Sequence, residues 1–116
     1  RVNMARQIGP SDLGALRHVA ARIASDKVRI VHGHGAKGGA YARLAARGTR
    51  NAARVYTPHG GSLHYSPRSP QGLVFLNLER IMVPRTDAAL FESSYAKATF
   101  EQKVGGLPAL SRVVHN

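Results

Sequence analysis

Apolar and polar positions along this chain follow two distinct periods, and the period switches several times. Residues 12–25, DLGALRHVAARIAS, set Leu13, Leu16, Ala20 and Ile23 on one helical face, with Ser11 or Asp12 available as the N-cap. The next run, VRIVH at 28–32, is short and β-branched, the mark of a buried strand. Helical spacing returns over 37–47 with Tyr41, Leu44 and Ala45, and ARVYT at 53–57 reads as a second strand closed by Pro58 and Gly60–Gly61. A polar loop runs through Ser69. Ser69 before Pro70 joins an N-cap hydroxyl to a proline at the first helical position, where no N–H is needed. That helix is apolar on most sides, which predicts deep burial, and Pro84 stops it near Val83. A third strand (DAALFES, 87–93), a helix over 95–104 capped by Ser94 and ended by Lys103 and Gly105–Gly106, and a fourth strand (SRVVH, 111–115) complete the pattern.

The order is helix then strand, four times over. Such alternation predicts right-handed βαβ crossovers and a parallel sheet with helices on both faces, an α/β Rossmann-like unit forming a single domain over 1–116. Parallel sheets of this kind take ligands beyond the carboxyl ends of their strands. The loops to read are therefore 33–39, 58–69 and 92–94, and His34, His59, Glu92 and Ser93 all fall on that edge.

Composition narrows the picture. At 116 residues and 43% hydrophobic, the chain can bury a real core. No run approaches the roughly 20 apolar residues of a membrane span, and no charged-then-apolar leader is visible. Arg1 stands where a start methionine would, so the natural start is expected upstream. Cysteine is absent, which excludes disulfides, thiolate metal sites and a Cys nucleophile and makes a cytoplasmic setting the expectation. The net charge of +11 raises nucleic acid as a partner, but only four of the 17 basic residues are lysines and the arginines stand singly. No nucleic-acid partner is expected; anionic lipid headgroups or phosphorylated substrates suit this dispersed charge better.

The stretch VHGHGAKGGAYARLAAR (31–47) leads through glycines into a helix, whose free N–H groups and dipole suit a phosphate or carboxylate, with Lys37 adding charge. It lacks the GxxxxGK[ST] spacing of a P-loop, and Gly35, Gly38 and Gly39 equally suit a tight turn and close helix–sheet packing. His32 and His34 share one face of an extended strand, and with His59 and His64 they raise a zinc site. Ala36 and Lys37 stand where an HxHxDH motif needs its Asp–His pair, and HExxH is absent, so no metal is expected. His59, in TPHGGS, ends a strand before a Gly–Gly turn. There an imidazole can face a cleft and bond a sugar hydroxyl, a carbonyl or a phosphate, or merely the neighbouring backbone. Glu92 has no second carboxylate beside it in sequence; it is a general acid/base or a partner for loop backbone. Ser93 and Ser94 read mainly as caps, and no GxSxG supports a hydrolase nucleophile. His18 and His115 read as non-catalytic.

The ordered set VHGHGAKGGAYARLAAR, VYTPHGGSLHYSP, ALFESSYAKATF and RVVHN resembles the N-terminal, acceptor-side domain of GT-B glycosyltransferases, specifically glycosyltransferase family 4, over almost the whole chain. The resemblance implies two Rossmann-like domains across a cleft. It implies transfer of a sugar, with retention, from a nucleotide-diphosphate sugar to a saccharide or lipid acceptor, without a bound metal or other cofactor. It makes His59 the active-site histidine near the transferred sugar and its phosphate, with Gly60 and Gly61 shaping the floor. His34, Gly35 and Lys37 match the acceptor-side loop, and Glu92 and Ser93 a loop lining the cleft. The family's first strand and glycine-rich donor loop, and its E-x7-E motif, are not in these residues, so the chain is expected to be the latter part of an N-terminal domain, inactive alone. Strand 28–32 is then expected at an exposed sheet edge, a route to homo-oligomers, and peripheral contact with an inner membrane fits the charge. The alternative function is a non-catalytic phosphate- or nucleotide-binding module; a zinc hydrolase using His32, His34 and His59 is a third.

Overall fold

Four β-rich runs pair as one parallel sheet: β1 (Ile30–His34), β2 (Ala53–Thr57), β3 (Ala88–Phe91) and β4 (Leu110–Val113), in the order β1-β2-β3-β4. The helices are α1 (Ser11–Ser25), α2 (Gly35–Ala45), α3 (Pro70–Met82) and α4 (Ser94–Val104). This computed structural model describes residues 9–49, 51–60 and 62–115. Each crossover helix returns the chain to the amino end of the sheet, so every strand end carrying a candidate residue lies on one edge. The register fixes their order across it, with His34 beside Thr57 and Gly33 beside Tyr56.

The class is α/β with a parallel sheet, as the pattern predicts, but the expected helices on both faces occur on one face among the described residues. A Cβ on Gly33 would meet Gly38, Gly39 and Ala42 of α2. Tyr56, on the same face, packs with Leu76 of α3 and Phe100 of α4. Strand order rises monotonically with the sequence, and right-handed crossovers then put every connecting helix on the same side. The opposite face carries His32, His34, Val55, Thr57 and Leu90.

Element boundaries shift for local reasons. β1 begins two residues later than the β-branched run, because Val28 still donates its N–H to Ile23 at the end of α1. It is an edge strand with Ile30 63% exposed, so the expected burial fails; of its residues only Gly33 is buried. The third strand ends at Phe91, releasing Glu92 and Ser93, and Ser93 rather than Ser94 caps α4 by accepting from Ala96 N–H at 3.1 Å. Ser69 caps α3 as expected, accepting from Gly72 N–H at 3.0 Å. Neither Ser11 nor Asp12 caps α1: Asp12 lies within the first turn and accepts from Gly9 N–H.

Two apolar clusters hold the layer together. One joins Tyr56, Leu76, Ala89, Phe91, Phe100 and Val104 between β2, β3, α3 and α4. The other seats Ile23 of α1 on Ala45, Ala46 and Ala52. Leu13 stays exposed because α1 presents Ala15, Leu16, Val19 and Ala20 inward instead. α3 is buried on one side only. Leu73, Val74 and Ile81 are more than half exposed, since the helix layer is one deep. Between the helices, Arg43 of α2 pairs with Glu79 of α3 at 2.9 Å, and Tyr56 donates its hydroxyl to the same carboxylate at 2.8 Å. All three are buried.

Candidate functional site

β1, β2 and β3 end side by side, and each end delivers one polar side chain to a single chain of hydrogen bonds. His34, the last residue of β1, meets His59 with Nδ1 3.0 Å from Nε2. His59, two residues past β2, turns its Nδ1 to Glu92 Oε1 at 2.5 Å, and Glu92 directly follows β3. The imidazole rings of His34 and His59 stack with centroids 5.3 Å apart. The side chains of His59 and Glu92 remain about two-fifths open to solvent, at 43% and 37%, so a ligand can reach them.

Behind this chain, His32 bonds Thr57 Oγ1 through Nε2 at 2.9 Å, and its ring lies 4.1 Å from that of His34. Burial holds the His32 imidazole below the ordinary histidine value, and the neighbouring His34 and His59 add to that. His32 thus lies against His34 with its own Nε2 turned to Thr57. Neither His32 in this role nor Thr57 stands out in the sequence. The alternation of a β-strand, which puts residues 32 and 34 on one face, is the signal that leads to them.

The glycines serve the backbone. Gly35 takes φ +63° at the start of α2, with open space where a Cβ would stand. Gly60 takes φ +71°, and a Cβ there would stand 2.7 Å from His64 Nε2. Gly60 also accepts from the N–H groups of Leu63 and His64, which folds the loop after His59 into a tight turn. Gly61 lies outside the described residues. Ser93 is engaged as the α4 cap.

Lys37 does not join the strand-end group. Its Nζ pairs with Asp12 Oδ1 at 2.8 Å, and Tyr41 donates to the same oxygen at 2.6 Å, tying α2 to α1. Lys37 first, then Tyr41 and the Gly9 N–H, hold the Asp12 carboxyl down to about 2; burial, then Asp12, pushes the Tyr41 hydroxyl up to about 12. A hollow beside Arg47, Thr49 and Asn51 opens at the amino ends of the strands, where Arg54 clasps both Asp87 oxygens at 2.9 and 3.0 Å. That hollow lies at the wrong end for a parallel-sheet ligand, and its ion pair is a structural clamp. Among the described residues, no group of three or more His, Asp or Glu side chains is placed to hold a metal ion.

Fold and edge together define a Rossmann-like α/β domain with polar, titratable groups gathered where such sheets bind their ligands. The model of Glycosyltransferase Family 4 matches residues 2–116, and the chain belongs to that family. The architecture is consistent with the N-terminal domain of a GT-B glycosyltransferase. No curated protein matches the chain. Among the described residues, no helix is long and apolar enough to cross a membrane.

Proposed function

We propose that the carboxyl edge of this sheet is the acceptor-side wall of a cleft in which a sugar passes, with retention of configuration, from a nucleotide-diphosphate sugar to a saccharide or lipid acceptor. The observation that carries the reading is the hydrogen-bonded chain of His34, His59 and Glu92, three residues from three strand ends in a glycosyltransferase-family domain. In such a transfer, negative charge grows on the departing diphosphate. A cationic imidazole at position 59, backed by the Glu92 carboxylate, opposes that charge from a fixed position. Gly35, with open space where a Cβ would stand, leaves the backbone beside His34 open to close approach.

His34 and Gly35 face the acceptor in this reading, and Gly60 forms the floor. Lys37 and Ser93 act one step back, since one is paired to Asp12 and the other caps α4. A free phosphate-binding module is the weaker reading, because Asp12 offsets the lysine that such a module would use. The protein works in the cytoplasm, on or near an inner membrane. The exposed Leu73, Val74 and Ile81 of α3 and the net charge of +11 support that contact with anionic lipid. The test is to supply the protein, as its gene encodes it, with a panel of nucleotide-sugars and a lipid and saccharide extract. Product with the donor's anomeric configuration, read by proton NMR, is expected; an inverted product, or none from any donor, contradicts the reading.

A further inference from the structure

Lys103, in the last turn of α4, directs its ammonium at backbone. Its Nζ donates to Leu63 O at 2.5 Å and to Tyr65 O at 3.3 Å, 40 and 38 positions back along the chain. Among the described residues no carboxylate pairs with it. A surface lysine ordinarily keeps its head group in water. Here the side chain is half-buried, and charge-assisted bonds to two carbonyls take the place of that water. Both carbonyls belong to the segment that links β2 to α3 and carries His59 and Gly60. The far end of this segment is tied independently. Ser69 Oγ donates to Ser66 O at 2.8 Å, and the Tyr65 and Phe75 rings stack with centroids 5.2 Å apart. The base of the lysine is fixed as well: Arg80 of α3 donates Nε to Val104 O at 2.9 Å and Nη2 to Lys103 O at 3.0 Å.

The near end of the bridge leads to His59. The carbonyl of Leu63 and the N–H of His64 belong to one peptide unit. Lys103 holds that unit by its oxygen, and its N–H donates to Gly60 O at 3.0 Å, where Leu63 N–H also donates at 2.9 Å. Gly60, at φ +71°, directly follows His59. A peptide unit polarised by a cation at its oxygen donates more strongly from its nitrogen. We propose that Lys103 is a positioning residue for His59, acting through the 63–64 peptide unit and Gly60 O. This rests on the sugar-transfer reading above and adds to it a residue of α4 that works only through backbone. The side chain of Leu63 is buried beside Leu76 and Phe100, which fixes its place but leaves the peptide plane after it free to rotate. Lys103 sets that plane. An imidazole that opposes charge on a departing diphosphate has to be held, since a misplacement of about 1 Å costs on the order of 100-fold in rate.

The experiment compares wild type, Lys103→Met and Lys103→Arg in the protein as its gene encodes it, each well below its own melting midpoint. Methionine keeps the length and the apolar stem and removes the donors; arginine restores donors. In Lys103→Met the Leu63 and His64 amides should exchange with solvent about tenfold faster, while amides inside α4 keep their wild-type rates. The His59 imidazole resonances should shift with them. Nucleotide-sugar turnover is the second readout: kcat should fall about tenfold with KM for the nucleotide-sugar unchanged. Lys103→Arg should return all three toward wild type. Unchanged exchange and an unmoved His59 spectrum in Lys103→Met overturn the proposal whatever the activity. Changed exchange with wild-type kcat makes Lys103 a structural clamp alone, which overturns the positioning role and leaves the transferase reading intact. Failure of the wild-type protein to use any nucleotide-sugar overturns the transferase reading, and exchange and the imidazole spectrum then decide by themselves whether Lys103 sets His59.

Discussion

Glu79 is 3% exposed, and its two oxygens are met by Arg43 and by the Tyr56 hydroxyl. Arg43 in turn lies 4.1 Å from the centre of the Tyr56 ring and donates Nε to Gly39 O. Removing the carboxylate leaves a guanidinium buried without its counter-charge. Glu79→Ala is therefore expected to cost about 3–5 kcal/mol of folding stability. Urea unfolding checks it, and a cost below about 1 kcal/mol would show the pair to be solvated. Nothing in the sequence singles out Arg43 or Glu79. Each reads as one more charged residue on a helix, and they lie 36 positions apart, so only the crossover topology joins them. Asp12 acts in the opposite setting, near solvent. Its carboxyl is lowered from the usual 3.8 to about 2, so between these values the unfolded chain binds more protons than the folded one. Its contribution is complete above pH 4 and is lost as pH falls toward 2. The stability gap between wild type and Asp12→Asn should stay constant from pH 7 to 5 and close below pH 4. A gap unchanged at pH 2 would mean that the ion pair with Lys37 adds nothing.

At the scale of elements, α2 lies on β1 at a distance that only glycine permits. A Cβ on Gly33 would stand 2.5 Å from Gly38 O and 2.7 Å from both Gly39 Cα and Ala42 Cβ. Gly33→Ala must lift the helix from the strand, at a cost of about 1–3 kcal/mol, and the shift carries His34 away from His59. Loss of both stability and the His34–His59 bond is the expected result; a variant with wild-type melting and an unchanged imidazole NMR spectrum would contradict it. The helix and strand sequence was legible because the apolar period changes with each element, and Ser69–Pro70 marked its helix start correctly. Two things were not. A periodic pattern reports which side of an element is apolar but not how many layers surround it, so α3 and β1 were both expected to be more buried than they are. Nor does it give register. His34, His59 and Glu92 could each be assigned to a strand end, but their contact depends on a sheet order and register that emerge only on folding.

Among the described residues the molecule is one sheet with four helices on one side, β1 at one edge of the sheet and a polar group gathered at the carboxyl end. Among the described residues β1 pairs with β2 alone, and its other side, with Ile30 exposed, is open to a second strand. Self-association through this edge is the expected outcome, and sedimentation should show it weaken when Ile30 is replaced by lysine. A monomer at the highest attainable concentration would rule it out. The proposed function rests on the other end of the strands. A glycosyltransferase-family chain that brings two imidazoles and a carboxylate into one hydrogen-bonded line has concentrated its titratable chemistry there. The measurement that tests this most directly is nucleotide-sugar turnover by the protein encoded by the complete gene, wild type against His59→Ala, with a melting curve for each. Turnover that falls by roughly 100-fold or more with melting preserved, about 2.7 kcal/mol of transition-state stabilisation, is the predicted result. Equal turnover in the two proteins would place the transfer chemistry elsewhere.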